Sequence, residues 1–330
     1  MAPDDFLVGV SGDAKDADGR PLFDFDLLNE AAVRWEWMPG DGELEPADVA
    51  PYDALVLFGR RVTRATLAGV DRLRLVARLG VGIDNVDVDA CTRARVLVTI
   101  TPDGVRRPMA AGAMAFVLAL AHRLPEMDRH VRRGGWERFL HVGTGLEGRT
   151  LGIVGLGNVG RELAMLAAPF GLRVIAADPF VTDTQSGVEL RTLEELLEAS
   201  DFVAITCPLT DGTQKLIGAA QLARMKPTAY LVNVARGPIV DEVALIDALR
   251  EGAIAGAALD VFDPEPVCAD SLLLSLENVI LAPHAVGLTD EFFRLSGRSV
   301  SRAAIAVRDG RMPEFAINPE ASPALARPRG

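Results

Sequence analysis

Residues 150–160 read TLGIVGLGNVG. An apolar run suited to a buried strand leads into Gly155, Gly157 and Gly160, and VGRELAMLAAPFG follows with helical spacing and a glycine stop. The G-x-G-x-x-G spacing alone is weak; between strand and helix it is the dinucleotide-binding fingerprint. Gly155 permits the tight turn, Gly157 lets backbone approach a pyrophosphate, and Gly160 lets helix and strand pack closely. The helix start then offers free N–H groups and a partial positive charge to the phosphates. A second strand, LRVIAADP, ends at Asp178, about 20 residues further on, where a carboxylate accepts both ribose hydroxyls and repels a 2′-phosphate. Pro179 and Phe180 follow, with no Arg to hold that phosphate, so the motif predicts NAD over NADP.

Outward from the motif the alternation continues. DFVAIT, AYLVNVAR, AGAALDVF and NVILAPH read as buried strands, with helices at TLEELLEAS and DEVALIDALREG; Asp241 and Gly252 cap the latter. Upstream, FLVGV (6–10), LVLFG (55–59), LVARLG (75–80) and VLVTITP (96–102) form an earlier series with helical segments between them. Alternating apolar strands and amphipathic segments specify parallel sheets with helices on both faces. A fingerprint in mid-chain means that the first 100 or so residues fold separately, which 330 residues allow. PMAAGAMAFVLALA (108–121), with Pro108 near its first turn, predicts a buried helix, its 14 uncharged residues being too few for a bilayer, and Pro125 a kink or restart. RRGGWERF (132–139) is an exposed connection, a last helix covers roughly 289–309, and the Pro-rich tail from Asn318 is loosely ordered.

The net charge of −12 disfavours nucleic acid and anionic membrane as partners. The three cysteines, Cys91, Cys207 and Cys268, are widely spaced, and the acidic start MAPDDFLVGV lacks a signal peptide's basic segment; a cytoplasmic protein with free thiols is expected. Lysine occurs only at positions 15, 215 and 226, so a single Arg carries less weight than usual.

Hydride exchange with a carbonyl needs a proton donor, a group that tunes it and a cation for an anionic substrate. Arg236 ends VNVAR, Glu265 lies in DVFDPEPV and His284 in LAPHAVG. Each alone reads as a solvated Arg, a charged turn and a core histidine. Together they follow three successive strands, and strand C-termini form the ligand crevice of such sheets. Arg236 can pair with a carboxylate through two parallel bonds. Glu265 beside His284 favours the imidazolium and fixes its tautomer. His122, His130 and His141 have no comparable company and read as surface residues.

With RLGVGIDNVD (78–87), GGWERF, LEGRTLGIVGLGNVGRELA, CPLTDGTQKLI, MKPTAYLVNVARGPIVDEVALIDAL, GAALDVFDPEPV and NVILAPHAVG on the page, the chain resembles the D-isomer-specific 2-hydroxyacid dehydrogenases over almost its whole length. The resemblance implies an α/β fold of two doubly wound parallel-sheet lobes. A Rossmann NAD-binding lobe (102–287) would be inserted in a flavodoxin-like substrate lobe (1–101 and 288–330). It implies NAD, a small anionic 2-oxo or 2-hydroxy acid substrate, and a homodimer through the NAD-binding lobes. Arg236, Glu265 and His284 would be catalytic. The cofactor would meet Gly155, Gly157, Asn158, Val159, Gly160, Asp178, Cys207, Pro208, Thr213, Ala235, Asp260, His284 and Gly287. The substrate carboxylate would meet Arg236 and the backbone N–H groups of Gly80, Val81 and Gly82.

The chain also departs from that pattern. Where phosphoglycerate dehydrogenases usually carry an Arg-Ser pair, it has Leu57 and Phe58, which speaks against phosphoglycerate. Two arginine pairs, Arg60/Arg61 and Arg106/Arg107, are either solvated or hold a second anionic group of the substrate, Arg106 being the nearer candidate. Glu265 argues against formate oxidation, where the family has Gln. Oxidation of phosphite or a hydroxyphosphonate, or NAD sensing by a corepressor, would use the same residues.

Overall fold

The computed structural model describes residues 5–40, 42–182, 184 and 187–322. Its first sheet is β1 (Leu7–Val10), β2 (Arg34–Trp37), β3 (Ala54–Leu57), β4 (Leu75–Arg78) and β5 (Leu97–Thr99). All pairings are parallel, in the order β2-β1-β3-β4-β5, which is the flavodoxin-like order. Central β3 is buried at all four residues, as a strand covered on both faces must be. Edge strand β2, RWEW, alternates exposed and half-buried positions; its polar face hid it among the expected helical segments.

The other edge of this sheet is closed by the chain's C-terminal segment. Thr99 bridges Ala316, and the buried Asn318 accepts from the Val98 N–H (2.7 Å) while its amide donates to Val96 O (3.0 Å) and Thr92 Oγ1 (2.9 Å). Asn318 to Ala321 are therefore fixed rather than loose, because Asn318 satisfies edge-strand groups that would otherwise be unpaired. Residues 323–330 of the tail lie outside the described residues.

The second sheet comprises β6 (Thr150–Val154), β7 (Arg173–Ala177), β8 (Glu189–Leu190), β9 (Phe202–Ile205), β10 (Tyr230–Asn233), β11 (Gly256–Leu259) and β12 (Val279–Leu281). Its order is β12-β11-β10-β9-β6-β7-β8, again wholly parallel. The order reverses between β6 and β9, the switch point at which such sheets bind dinucleotides. Helix Leu193–Ala199 starts with a capping box: Thr192 Oγ1 accepts from Glu195 N (3.2 Å) and Glu195 returns a bond to Thr192 N (3.1 Å). Asp241 caps helix Glu242–Arg250 as expected, accepting from Ala244 N.

The chain divides into two compact units, residues 1–105 with 289–330, and residues 106–288. The sequence had put the crossings at 101/102 and 287/288. The first crossing is instead at 105/106, inside helix Pro102–Ala121, whose opening turn belongs to the first unit: Gly104 lies so close to Ser296 that a Cβ would sit 2.1 Å from its hydroxyl. Pro108 is thus inside the helix, not in its first turn. At 20 residues the helix is long and apolar enough to cross a bilayer, so the length argument from its uncharged stretch fails. Burial decides instead, since Ala110, Ala113, Met114, Val117, Leu120 and Ala121 are core residues packed with the face of the second sheet. The helix stops at Arg123, which takes a left-handed φ of +52°, and restarts as Leu124–Arg132 with Pro125 in its first turn.

Candidate active site

Strands β10, β11 and β12 lie side by side, and each expected catalytic residue follows one of them. β10 ends at Asn233, three residues before Arg236 rather than at it. The buried Asn233 shapes the intervening turn, its amide donating to Arg236 O (3.0 Å) and its carbonyl accepting from Ala235 N (3.0 Å). Arg236 itself donates to Ala235 O (2.7 Å). The next residue must be glycine, because a Cβ on Gly237 would meet Phe262 O at 1.9 Å. That contact seats the Arg236 turn against the loop holding Glu265.

Glu265 accepts from Phe262 N through Oε1 (3.0 Å) and faces His284 Nδ1 through Oε2 (2.8 Å). Both side chains are more than a third exposed. An exposed pair contributes about 0–1 kcal/mol to stability, so this one orients the ring more than it holds the fold. With Nδ1 donating to the carboxylate, Nε2 is the nitrogen left for a substrate proton. His284 has φ +54°, a left-handed conformation that costs a non-glycine residue roughly 1–3 kcal/mol. Three backbone bonds to Asp260 hold it there: His284 N to its carbonyl (2.8 Å), and Ala285 N and Val286 N to its Oδ1 (2.8 and 3.0 Å). At about 0.5–1.5 kcal/mol each they offset the strain. Gly287 ends the turn against Met109, whose sulfur would lie 2.1 Å from an added Cβ.

Asp260 carries a second observation. Its Oδ2 is buried without a hydrogen-bond partner, and burial, opposed by the Val286 and Ala285 N–H groups and by His284, keeps its carboxyl above the usual range. An orphaned acceptor beside His284 fits a ligand that brings an N–H donor, as the carboxamide of nicotinamide does. The fingerprint fits the rest of such a cofactor. Gly155 has φ +95° with the backbone of Cys207 2.6 Å from a would-be Cβ, Gly160 packs on Gly155 O, and the Cβ direction of Gly157 is open. Asp178 follows β7, accepting from Leu156 N (2.8 Å) and Phe180 N (2.9 Å). Thr213 closes the loop after β9 by donating to Pro208 O (2.7 Å). Burial pushes the Cys207 thiol up to about 11, so it packs rather than reacts. Asp260→Asn keeps an acceptor for Ala285 and Val286 but puts a donor where Oδ2 stood. Loss of one acceptor to the carboxamide raises the NADH dissociation constant roughly tenfold, measured by fluorescence titration; unchanged affinity would remove Asp260 from the cofactor site.

In the first unit, Gly80 follows β4 with φ +136°. Its N–H donates to Thr101 Oγ1 (2.8 Å), so of the three amides expected to meet a carboxylate that of Gly80 is already taken. Arg78, which the sequence did not single out, ends β4 beside this turn. Its guanidinium lies 5.9 Å over the Phe58 ring, donates to Asn85 Oδ1 (3.2 Å), and sits 3.0 Å from where a Gly80 Cβ would be. An Arg closing a buried strand was the available signal.

Of the two arginine pairs, Arg61, Arg106 and Arg107 are exposed, as the solvated reading expects, and Arg60 is not. Arg60 is buried and donates to the carbonyls of Gly42 and Pro39 (both 3.1 Å). Arg106 and Arg107 reach Glu162, a buried carboxylate on helix Asn158–Ala167, at 3.5 and 2.7 Å. Of the other three histidines His122 is exposed as expected, but two have company: His130 meets Glu137 at 2.7 Å and stacks edge-on at 5.1 Å with His141, which lies 3.4 Å from Glu126. Among the described residues no cluster could hold a metal ion.

Residues 114–286 match the model of the D-isomer specific 2-hydroxyacid dehydrogenase NAD-binding domain. The chain is 43% identical to a glyoxylate reductase of Korarchaeum cryptofilum over 82% of its own length and 84% of the relative's. It is 38% identical to the D-3-phosphoglycerate dehydrogenase of Methanocaldococcus jannaschii, covering 84% of this chain but 52% of that one. Its fold superposes on the D-lactate dehydrogenase of Aquifex aeolicus, solved with NAD and lactic acid, with a TM-score of 0.79 at 26% identity over 92% of this chain and 96% of the other. The family match over residues 114–286, the 43% identity to a relative along most of both chains and the shared fold thus agree, and the chain belongs to the D-isomer-specific 2-hydroxyacid dehydrogenases, its second unit carrying their NAD-binding domain.

Proposed function

We propose that the chain reduces a small 2-oxo acid with one carboxylate, of the size of glyoxylate or hydroxypyruvate, to the 2-hydroxy acid, the D isomer where the product is chiral. The observation that carries this is the His284–Glu265 contact of 2.8 Å on the loops after two adjacent strands, with Arg236 after the third. NADH supplies the hydride. His284, oriented by Glu265, gives its Nε2 proton to the carbonyl oxygen. Arg236 pairs with the carboxylate and draws charge from the neighbouring carbonyl. The small-substrate reading is supported by Leu57 and Phe58 and by the similarity to a glyoxylate reductase. NADH consumption against glyoxylate, hydroxypyruvate, pyruvate and phosphohydroxypyruvate tests it. The first two give the highest kcat/KM; a preference for the phosphorylated acid would overturn the small-substrate reading and return Arg106 to the substrate.

The chain also forms a homodimer through its NAD-binding unit on this reading. Leu124, Val131, Trp136, Phe139, Leu140 and Val142 are all more than half exposed, a density of apolar groups that a lone protomer rarely shows to water. Phe139→Glu shifts the mass in light scattering from two chains to one; an unchanged dimer would place the interface elsewhere.

A further inference from the structure

We propose that the first unit carries a second binding site, for an α-amino acid with an aromatic or large apolar side chain. A cavity of about 550 Å³ opens between the segment after Pro21, strand β2 and the start of helix Asp290–Arg308. That volume falls in the range of small-molecule pockets, roughly 300–1,000 Å³. Its apolar lining is Pro21, Leu22 and the rings of Phe23, Phe25, Trp35 and Phe293. The rings are braced: Phe25 lies 5.4 Å from Trp35, Phe293 packs edge-on to the buried Phe23 at 5.0 Å, and the Trp35 indole N–H donates to Asn29 (3.0 Å). Aromatic faces fixed in this way present a preformed surface to a flat apolar group.

The polar lining decides the ligand's charge. Asp24 is already used, accepting from Arg298 (2.8 Å) and from Asp26 N (3.0 Å). Asp26 and Asp290 make no ion pair among the described residues, and neither does Arg294, although Asp290 and Arg294 stand one helical turn apart. One cavity thus offers unpaired groups of both signs beside aromatic faces. A simple organic cation would leave Arg294 unanswered and a simple carboxylate would face two aspartates. A zwitterion answers both: its ammonium goes to the aspartates, its carboxylate to Arg294, and its side chain to the rings.

Calorimetric titration of the full chain, without cofactor or 2-oxo acid, tests this independently of the dehydrogenase reading. L-Phenylalanine binds saturably. Phenylethylamine, which lacks the carboxylate, and phenylpropionate, which lacks the ammonium, each bind about tenfold more weakly or worse, the value of a lost charged hydrogen bond. Arg294→Ala and Asp26→Asn, both at exposed positions, weaken phenylalanine binding by a similar factor. Absence of saturable binding, equal binding of either one-charge analogue, or binding that survives Arg294→Ala would each overturn the proposal.

Discussion

His284→Ala lowers kcat for 2-oxo acid reduction by roughly 10²–10⁴-fold, the usual contribution of a positioned proton donor. The ring is the acidic group whose Nδ1 is already committed to a carboxylate, at 2.8 Å from Glu265, leaving one nitrogen for the substrate. Its backbone position does not depend on the imidazole, because the bonds to Asp260 come from N–H groups of residues 284–286. The variant therefore folds and binds NADH while losing turnover. Rapid-mixing measurement of NADH oxidation separates the two. Turnover within a few-fold of wild type would remove His284 from the chemistry.

Arg236→Gln costs roughly 10²–10⁴ in kcat/KM, the equivalent of two charge-assisted hydrogen bonds at about 1.5–3 kcal/mol each. Most of the loss lies in KM if the guanidinium only holds the carboxylate, and in kcat as well if it also draws charge from the carbonyl. Arg236→Lys restores the charge but not the planar fork, so it recovers only part of the loss. The variant loses the Arg236 bond to Ala235 O but keeps both bonds from Asn233 to the backbone of Ala235 and Arg236. Steady-state kinetics with glyoxylate reads the outcome; a kcat/KM within threefold of wild type would mean that the carboxylate is held elsewhere.

Much of this arrangement was legible before any coordinates, and the pattern of misses is physical. Continuous apolar strands such as ALVL at 54–57 and FVAI at 202–205 announce themselves because both faces are buried. Edge strands do not: RWEW carries polar residues on its open side, and Glu189–Leu190 is two residues long. The site residues at the ends of β10, β11 and β12 could be read because a parallel sheet puts successive strand ends on one edge. What the sequence could not show is which polar atoms are already spent. The Gly80 amide is taken by Thr101, Arg60 by two backbone carbonyls, and Arg106 lies against Glu162, while Asp260 Oδ2 is left over. Those outcomes depend on contacts between residues 18 to 56 positions apart, and a single amino-acid sequence gives no trace of them. His130 and His141 were read as solitary for the same reason.

The most direct test of the central claim is the configuration of the product formed from NADH and hydroxypyruvate, read by chiral chromatography. The account predicts stoichiometric NADH consumption and D-glycerate. L-Glycerate would contradict the stereochemical assignment, and absence of any reduction by a protein that binds NADH would contradict the enzymatic reading itself.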